Sequence, residues 1–338
     1  MLTNNTPRRR VICIALVAAA LSCLPVYAEW TWTPQTGRWI NVKRLPKETA
    51  ELQVEYARSL MLEGEFKKAI VETEKFTDYY SDTEYADKNQ FLRGEIRMAQ
   101  GKPIEAAREF QQVVAKYPNS ALYNDVIKMQ YQIGDQLYAD GAKQAKKFWA
   151  FARKRPYKRA SEVYSMVISN EPFTDAAAEA QYKLGLCRHT RKQYIEASFE
   201  YKRVIEDYST SPWVDDAAVG LANCYYDSAL PSDYDQQPSQ LAITAIDEFK
   251  ERFPDDARNS ELAEKKGKMQ ESIADQRLKT AQFYEKRRNF ESARIYYGIV
   301  AKQFAGTAAA EKANGWLQNN QVAKPKLADR ILGRTNAS

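Results

Sequence analysis

A single histidine, four cysteines, 13 glycines and 13 prolines are spread over 338 residues. With one histidine, a histidine-based metal site or a catalytic triad would rest on His189 alone. Cys187 and His189 stand two apart on a predicted helix, about 200° around its axis, so they cannot meet as nucleophile and base. No glycine-rich phosphate loop, CxxC pair or HExxH run occurs. The carboxylate pairs Asp215-Asp216 and Asp255-Asp256 fall where helices begin, and there acidic groups cap and oppose the positive end of the dipole. The sequence therefore reads as a non-enzyme, with no catalytic residue, no metal and no cofactor expected. So few glycines and prolines also exclude a many-turned β protein.

Long hydrophobic runs are missing outside the first 28 residues. There Arg8, Arg9 and Arg10 precede an apolar run of 14, Val11 to Leu24, and a small-residue cleavage site, Val26-Tyr27-Ala28. A bilayer-spanning helix needs about 20 residues, so residues 1–28 read as an export signal. Removing the signal takes away three arginines and no acid, lowering the net charge from +6 to +3. So weak a positive charge argues against a nucleic-acid partner. Cys23 follows Ala20-Leu21-Ser22, which resembles a bacterial lipoprotein cleavage box with its leucine one position too near the cysteine. Lipidation at Cys23 and cleavage after Ala28 are both open. Cys187 and Cys224 lie at equivalent points of successive repeats, too far apart for a disulfide if first helices pack about 8–10 Å apart. They are expected as buried free thiols.

Helical spacing of small and aromatic residues is abundant. A small residue recurs after twelve positions in Ala57/Ala69, Gly94/Ala106, Gly185/Ala197 and Ala281/Ala293. Two further pairs, Gly134/Ala160 and Ala222/Ala242, are stretched by 14 and 8 residues. Phe110, Tyr164, Tyr201 and Tyr297 follow four residues after the second small position, while the first copy has Thr73 there. Hairpins end near Pro118, Pro172 and Pro254. The cleanest copy, Asn89 to Ser120, resembles a tetratricopeptide (TPR) unit of about 34 residues. The fold expected is all-α, a TPR-type helical-hairpin solenoid of five to six repeats over residues 48–310. A Trp-rich segment (29–47) precedes it and a C-terminal tail (311–338) follows.

The Trp-rich segment holds Trp30, Trp32 and Trp39 and has no helical period. It reads as a cap on the first repeat, a partner-binding piece or a membrane-interface piece. Repeat 3 is expected to be interrupted from Gly141 to Pro156, within a run of eight Lys or Arg between Lys143 and Arg159 that embeds Phe148, Trp149 and Phe151. That run reads as a solvated face or as a surface for an anionic partner. Repeat 5 is opened by a polar loop, Leu230 to Gln240, and a long polar helix, Asp255 to Gln282, leads into repeat 6. Counting from the small position in each first helix places Arg58, Met61, Asn89, Met98, Tyr131 and Tyr138 on a peptide-binding groove. Methionine and tyrosine there offer adaptable contact, and arginine and asparagine can bond a peptide backbone.

The export signal, the first-repeat stretch from Glu65 to Lys102, the basic aromatic insertion at Lys146–Arg159 and the stretch Ile273–Thr307, with Tyr284, Arg287 and Ala293, together resemble the BamD-like (YfiO) family of outer-membrane assembly proteins. The resemblance covers about Glu48 to Ala310. It implies a periplasmic scaffold at the outer membrane, lipid-anchored or peripheral. Its implied partners are a barrel-assembly protein, docked by the C-terminal repeats, and unfolded exported polypeptides in the N-terminal groove. Two other readings compete: a soluble periplasmic TPR adaptor coordinating cell-wall synthesis or division, and a membrane-surface binder using Trp30, Trp32, Trp39 and the Lys143–Arg159 run.

Overall fold

The computed structural model describes residues 30–33, 38–41, 45–145, 154–229, 231 and 234–320. The signal, Cys23 and residues 146–153 of the basic aromatic run, with Phe148, Trp149 and Phe151, lie outside them. Two compact units follow one another along the chain, divided between Leu122 and Tyr123. The first contains α1 (Ala50–Leu62), α2 (Phe66–Tyr80), α3 (Ala86–Ala99) and α4 (Pro103–Lys116). The second begins with α5 (Tyr123–Ala145), α6 (Lys154–Asn170), α7 (Asp175–Thr190) and α8 (Tyr194–Asp207). It continues through α9 (Val214–Ser228), α10 (Gln237–Arg252), α11 (Asn259–Lys286), α12 (Phe290–Gln303) and α13 (Ala308–Asn319). The solenoid is all-α, as its spacing predicts. Ahead of it, β1 (Trp30–Thr33) and β2 (Arg38–Asn41) pair antiparallel with Trp32 opposite Trp39.

The constant spacing of twelve has a local cause. Seven residues after the first small position, Gly64, Gly101, Lys192 and Arg288 all adopt left-handed backbone, with φ of 81°, 71°, 62° and 59°. In α3 the Gly101 N–H donates to the Met98 carbonyl and the Lys102 N–H to the Arg97 carbonyl. Lys192 with Gln193, and Arg288 with Asn289, repeat that pattern. This is the Schellman turn, which stops a helix and reverses the chain.

Across each turn, an aromatic ring occupies the place a side chain on the facing glycine would need. A Cβ on Gly94 would overlap the Phe110 ring; one on Gly134 would lie 2.7 Å from Tyr164, and one on Gly185 2.7 Å from Tyr201. Phe110, Tyr164 and Tyr201 are completely buried. Where the position four after the second small residue is not aromatic, the aromatic stands one turn later: Thr73 with Phe76, and Ile246 with Phe249. A second tie, absent from the spacing argument, joins the two helices of three hairpins. Gln53 donates to the carbonyl and carboxylate of Glu72, Gln90 to those of Glu109, and Gln181 to those of Glu200. In repeat 3, where Val163 replaces the glutamate, Gln130 bonds Asn170 at 3.0 Å instead.

Two expectations need correction. Repeat 3 is not broken from Gly141: α5 runs on to Ala145 and α6 begins at Lys154, so the insertion lengthens both helices. Gly141 is needed there because a Cβ would lie 2.8 Å from the buried Tyr157, and Pro156 falls in the first turn, where its N–H would have no helical partner. Nor does the tail begin at 311. Thr307 caps α13, accepting from the Ala310 N–H at 3.1 Å, and Ala309, Ala310 and Ala313 are buried against α11 and α12.

Glycines in the two environments should respond oppositely to one substitution. Gly94→Ala gains about 1 kcal/mol of helix propensity but forces the Phe110 ring to move, an overpacking cost of about 1–3 kcal/mol. It is expected to lower the urea midpoint, and adding Phe110→Leu to restore most of it. Gly267→Ala, on α11 with nothing within 4 Å, should raise the midpoint. Equal effects at both positions would refute the steric account.

Candidate functional site

The first helices of neighbouring hairpins are tied directly to one another by side chains. In the first unit Arg58 on α1 pairs with Glu95 on α3 at 3.0 Å, each standing one residue past its small position. In the second unit Lys183 on α7 reaches Asp135 on α5 at 2.8 Å, donates to the Tyr131 hydroxyl at 2.9 Å and pairs with Glu179 at 2.8 Å. His189 on α7 meets Asp227 on α9 at 2.8 Å. Arg258, at the start of α11, holds Asp215 and Asp216 in the first turn of α9 as well as Asp256, and Lys265 donates to Asn223 at 2.7 Å. Within each unit the first helices thus present one laterally joined face.

Five of the six groove candidates lie on or beside the first-helix face of their own unit. Arg58 is engaged by Glu95, and Met61 packs partly into the core of the first hairpin. Met98 is half-buried in the last turn of α3. Tyr131 and Tyr138, two turns apart on α5, are half-buried and edge-on to Tyr164 and Tyr157, with centroids 6.2 and 5.4 Å apart. Burial lifts the Tyr138 hydroxyl to about 12, so it remains a neutral donor. Burial also raises Tyr131, helped by hydrogen bonding to Glu179. Asn89 does not fit the expectation. It is buried, donates to the Thr73 carbonyl of the preceding hairpin at 3.1 Å and is closed to a peptide. Five residues before Gly94, it lies about 140° around α3 and faces back toward α2.

Catalytic features do not assemble here. Cys187 and Cys224 are buried free thiols, each pushed up to about 12 by burial, which leaves them as thiols rather than nucleophilic thiolates. Among the described residues no group of three or more metal-ligating side chains gathers, and no helix is long and apolar enough to cross a membrane. The last hairpin is closed by a polar and aromatic lock that the spacing did not reveal. Tyr297 stacks on Trp316 with centroids 4.3 Å apart, and Glu285 accepts from both the Tyr297 hydroxyl and the Trp316 indole.

A family model described as an outer membrane lipoprotein (YfiO) matches residues 135–326, and a tetratricopeptide-repeat model matches residues 89–120. Among solved structures, the chain is similar to a thermophilic TPR protein of Thermus thermophilus, at 13% identity over 64% of this chain and 98% of that one, with a TM-score of 0.32. It is similar to a tetratricopeptide repeat protein of Parabacteroides merdae at 12% identity, covering 78% and 96%, with a TM-score of 0.30. PilF of Pseudomonas aeruginosa follows at 11% identity, covering 79% and 97%, with a TM-score of 0.28. No curated protein matches significantly.

The Arg258 hub should show in acid. Arg258 donates to Asp256 from its guanidinium and its backbone N–H, which holds the Asp256 carboxyl at about 2. An unfolded aspartate titrates near about 3.9, so this group's stabilisation is complete above about pH 4 and is lost as the pH falls through about 2. Asp256→Asn is expected to lower the urea midpoint at pH 7, with the gap from wild type closing between about pH 4 and pH 2. A gap constant over that range would dissociate Asp256 from the acid limb.

Proposed function

The chain belongs to the YfiO family of outer membrane lipoproteins, whose model spans more than half of it, and from that premise we propose a non-enzymatic periplasmic scaffold of outer-membrane β-barrel assembly. One observation carries the reading beyond family membership: neighbouring first helices are joined by Arg58–Glu95, Lys183–Asp135, His189–Asp227 and Arg258 with Asp215 and Asp216. Stacked hairpins of this kind offer an extended surface to a peptide. Each unit's surface carries groups that suit apolar segments of varied sequence, Met61 and Met98 in the first unit and Tyr131 and Tyr138 in the second. Unfolded barrel precursors are such segments, alternating apolar and polar residues. Arg58 is held by Glu95, so it stands ready for a carboxylate only by exchanging that partner. The C-terminal repeats dock a barrel-assembly protein, and the protein is held at the periplasmic side of the outer membrane, through lipid at Cys23 or peripherally.

Copurification from detergent-extracted envelope membranes of the native organism tests this. An outer-membrane barrel protein with periplasmic domains is expected with the tagged chain. Recovery only in the soluble periplasmic fraction, with cell-wall enzymes, would replace the assembly reading by that of a soluble adaptor. Tyr131→Ala is expected to lower photocrosslinking to unfolded barrel polypeptide about fivefold, the equivalent of about 1 kcal/mol. Wild-type crosslinking by a folded Tyr131→Ala protein would remove the first-helix face from the mechanism.

A further inference from the structure

Helix α8 is apolar on two sides. One side, with Ala197, Tyr201 and Val204, is completely buried in the second unit. The other carries Ile195 and Phe199, which are 71% and 60% exposed, followed by Lys202. These three stand at i, i+4 and i+7, one stripe along the helix. They border a cleft of about 370 Å3 whose remaining walls are Tyr225 on α9 and Pro238 and Leu241 on α10. That volume is at the lower end of the about 300–1,000 Å3 of ligand clefts.

At one end of the cleft Asp235 and Gln237 join the lining. The backbone around Tyr234 and Gln236 is fastened in place. Gln236 is buried, donates to the Pro231 and Tyr234 carbonyls, and accepts from Ser239 and from Ser272 on α11. Gln276, also on α11, donates to the Tyr234 carbonyl at 3.1 Å. Residues 234–236 are thus held at one end of the cleft.

The charges around it are unequally satisfied. Asp235 already accepts from the Gln237 N–H at 2.9 Å. The Lys202 ammonium, in contrast, has the Tyr225 ring 5.9 Å away and no carboxylate partner among the described residues. An apolar stripe ending in an unpaired cation, set between two antiparallel-hairpin helices, is complementary to a helix with an apolar stripe of its own and an acidic residue beside it.

We propose that the cleft between α8 and α10 is the docking site for an acidic amphipathic helix of a partner protein, with Ile195, Phe199 and Leu241 taking its apolar side chains and Lys202 its carboxylate. This deepens the reading of the C-terminal repeats as a docking platform, and it rests on that reading for the source of the helix. The cleft lies between the second helices α8 and α10 with Tyr225 of the first helix α9 on one wall, and none of its lining residues is among those assigned to exported polypeptide.

A defined probe tests the cleft separately from the copurification above. Two synthetic helical peptides share leucines at i, i+4 and i+7, and differ in carrying glutamate or lysine beside the stripe. Each is titrated by fluorescence anisotropy into the full exported chain. The glutamate peptide is expected to bind, and Phe199→Ser to weaken it at least about tenfold with an unchanged thermal melt. Lys202→Glu should invert the preference, so that the lysine peptide binds more tightly. Equal affinity of wild type for both peptides, absence of saturable binding, or indifference to Phe199→Ser would each overturn the proposal. So would a concentration-dependent dimer in sedimentation that Phe199→Ser abolishes, which would give the cleft to a second copy of the chain. Peptide binding with no barrel protein in the copurification would leave the cleft standing and remove only the source of its helix.

Discussion

The solenoid depends on a ring seated where a Cβ would otherwise be. Backbone and ring approach so closely at Gly94, Gly134 and Gly185 that no other residue fits, and the buried rings of Phe110, Tyr164 and Tyr201 fill the space. The repeats without such a ring show the same rule from its other side. Ala57 faces a hairpin with Thr73 at the ring position, and Ala222 one with Ile246, so a methyl group is accommodated. Ala281 with Tyr297 breaks the correlation for a visible reason: that ring leans away to stack on Trp316, and its hydroxyl is held by Glu285. The choice between glycine and alanine in each first helix therefore follows where the partner ring goes. Gly220 extends the rule between hairpins, since a Cβ there would lie 2.6 Å from Tyr201.

Polar ties set the register of what the rings bring together. The Gln–Glu pairs put an amide donor against both the main chain and the side chain of the opposite helix, which fixes the helices along their axes as well as apart. The bridges between first helices are of another kind. Most are partly open to solvent, where an ion pair contributes about 1 kcal/mol or less, so their effect is on alignment more than on stability. Arg258 differs because one guanidinium satisfies three aspartates and also lies 5.6 Å from the Phe249 ring. Networks sharing one side chain lose less entropy per contact than isolated pairs.

Much of this was legible in the sequence, because small and aromatic residues at fixed offsets record contacts between adjacent helices. The Schellman turns behind that spacing use glycine at Gly64 and Gly101, while Lys192 and Arg288 show the turn persisting without it. The misreadings share a cause. Gly141 and Pro156 look like breaks by the usual rules for turns, yet one makes room for Tyr157 and the other sits in a first turn. Asn89 was assigned by counting along one helix, which cannot show that α2 covers its side chain. The Gln–Glu ties span 19 residues across a turn, and α13 is short and alanine-rich, so only Thr307 and Trp316 signalled it. The α8–α10 cleft needs three helices and Asp235 at once, and no periodicity in one segment encodes it.

The two surfaces differ in what their charges have left to do. On the first-helix face of each unit the cations are already held by carboxylates, Arg58 in the first and Lys183 and Arg258 in the second, so a peptide lying on either meets electrostatics that are internally satisfied. Binding by charge would have to exchange partners at nearly equal energy, which leaves rings, thioethers and shape to hold the ligand. Such a surface tolerates many sequences, as an acceptor of diverse unfolded chains must. At the α8–α10 cleft the apolar stripe is uncovered and Lys202 lacks a carboxylate partner among the described residues. An occupant of the proposed kind gains both terms there without displacing a protein partner of Lys202. Low selectivity on one face and high selectivity on another is the division of labour that the proposed role between variable clients and a fixed partner calls for.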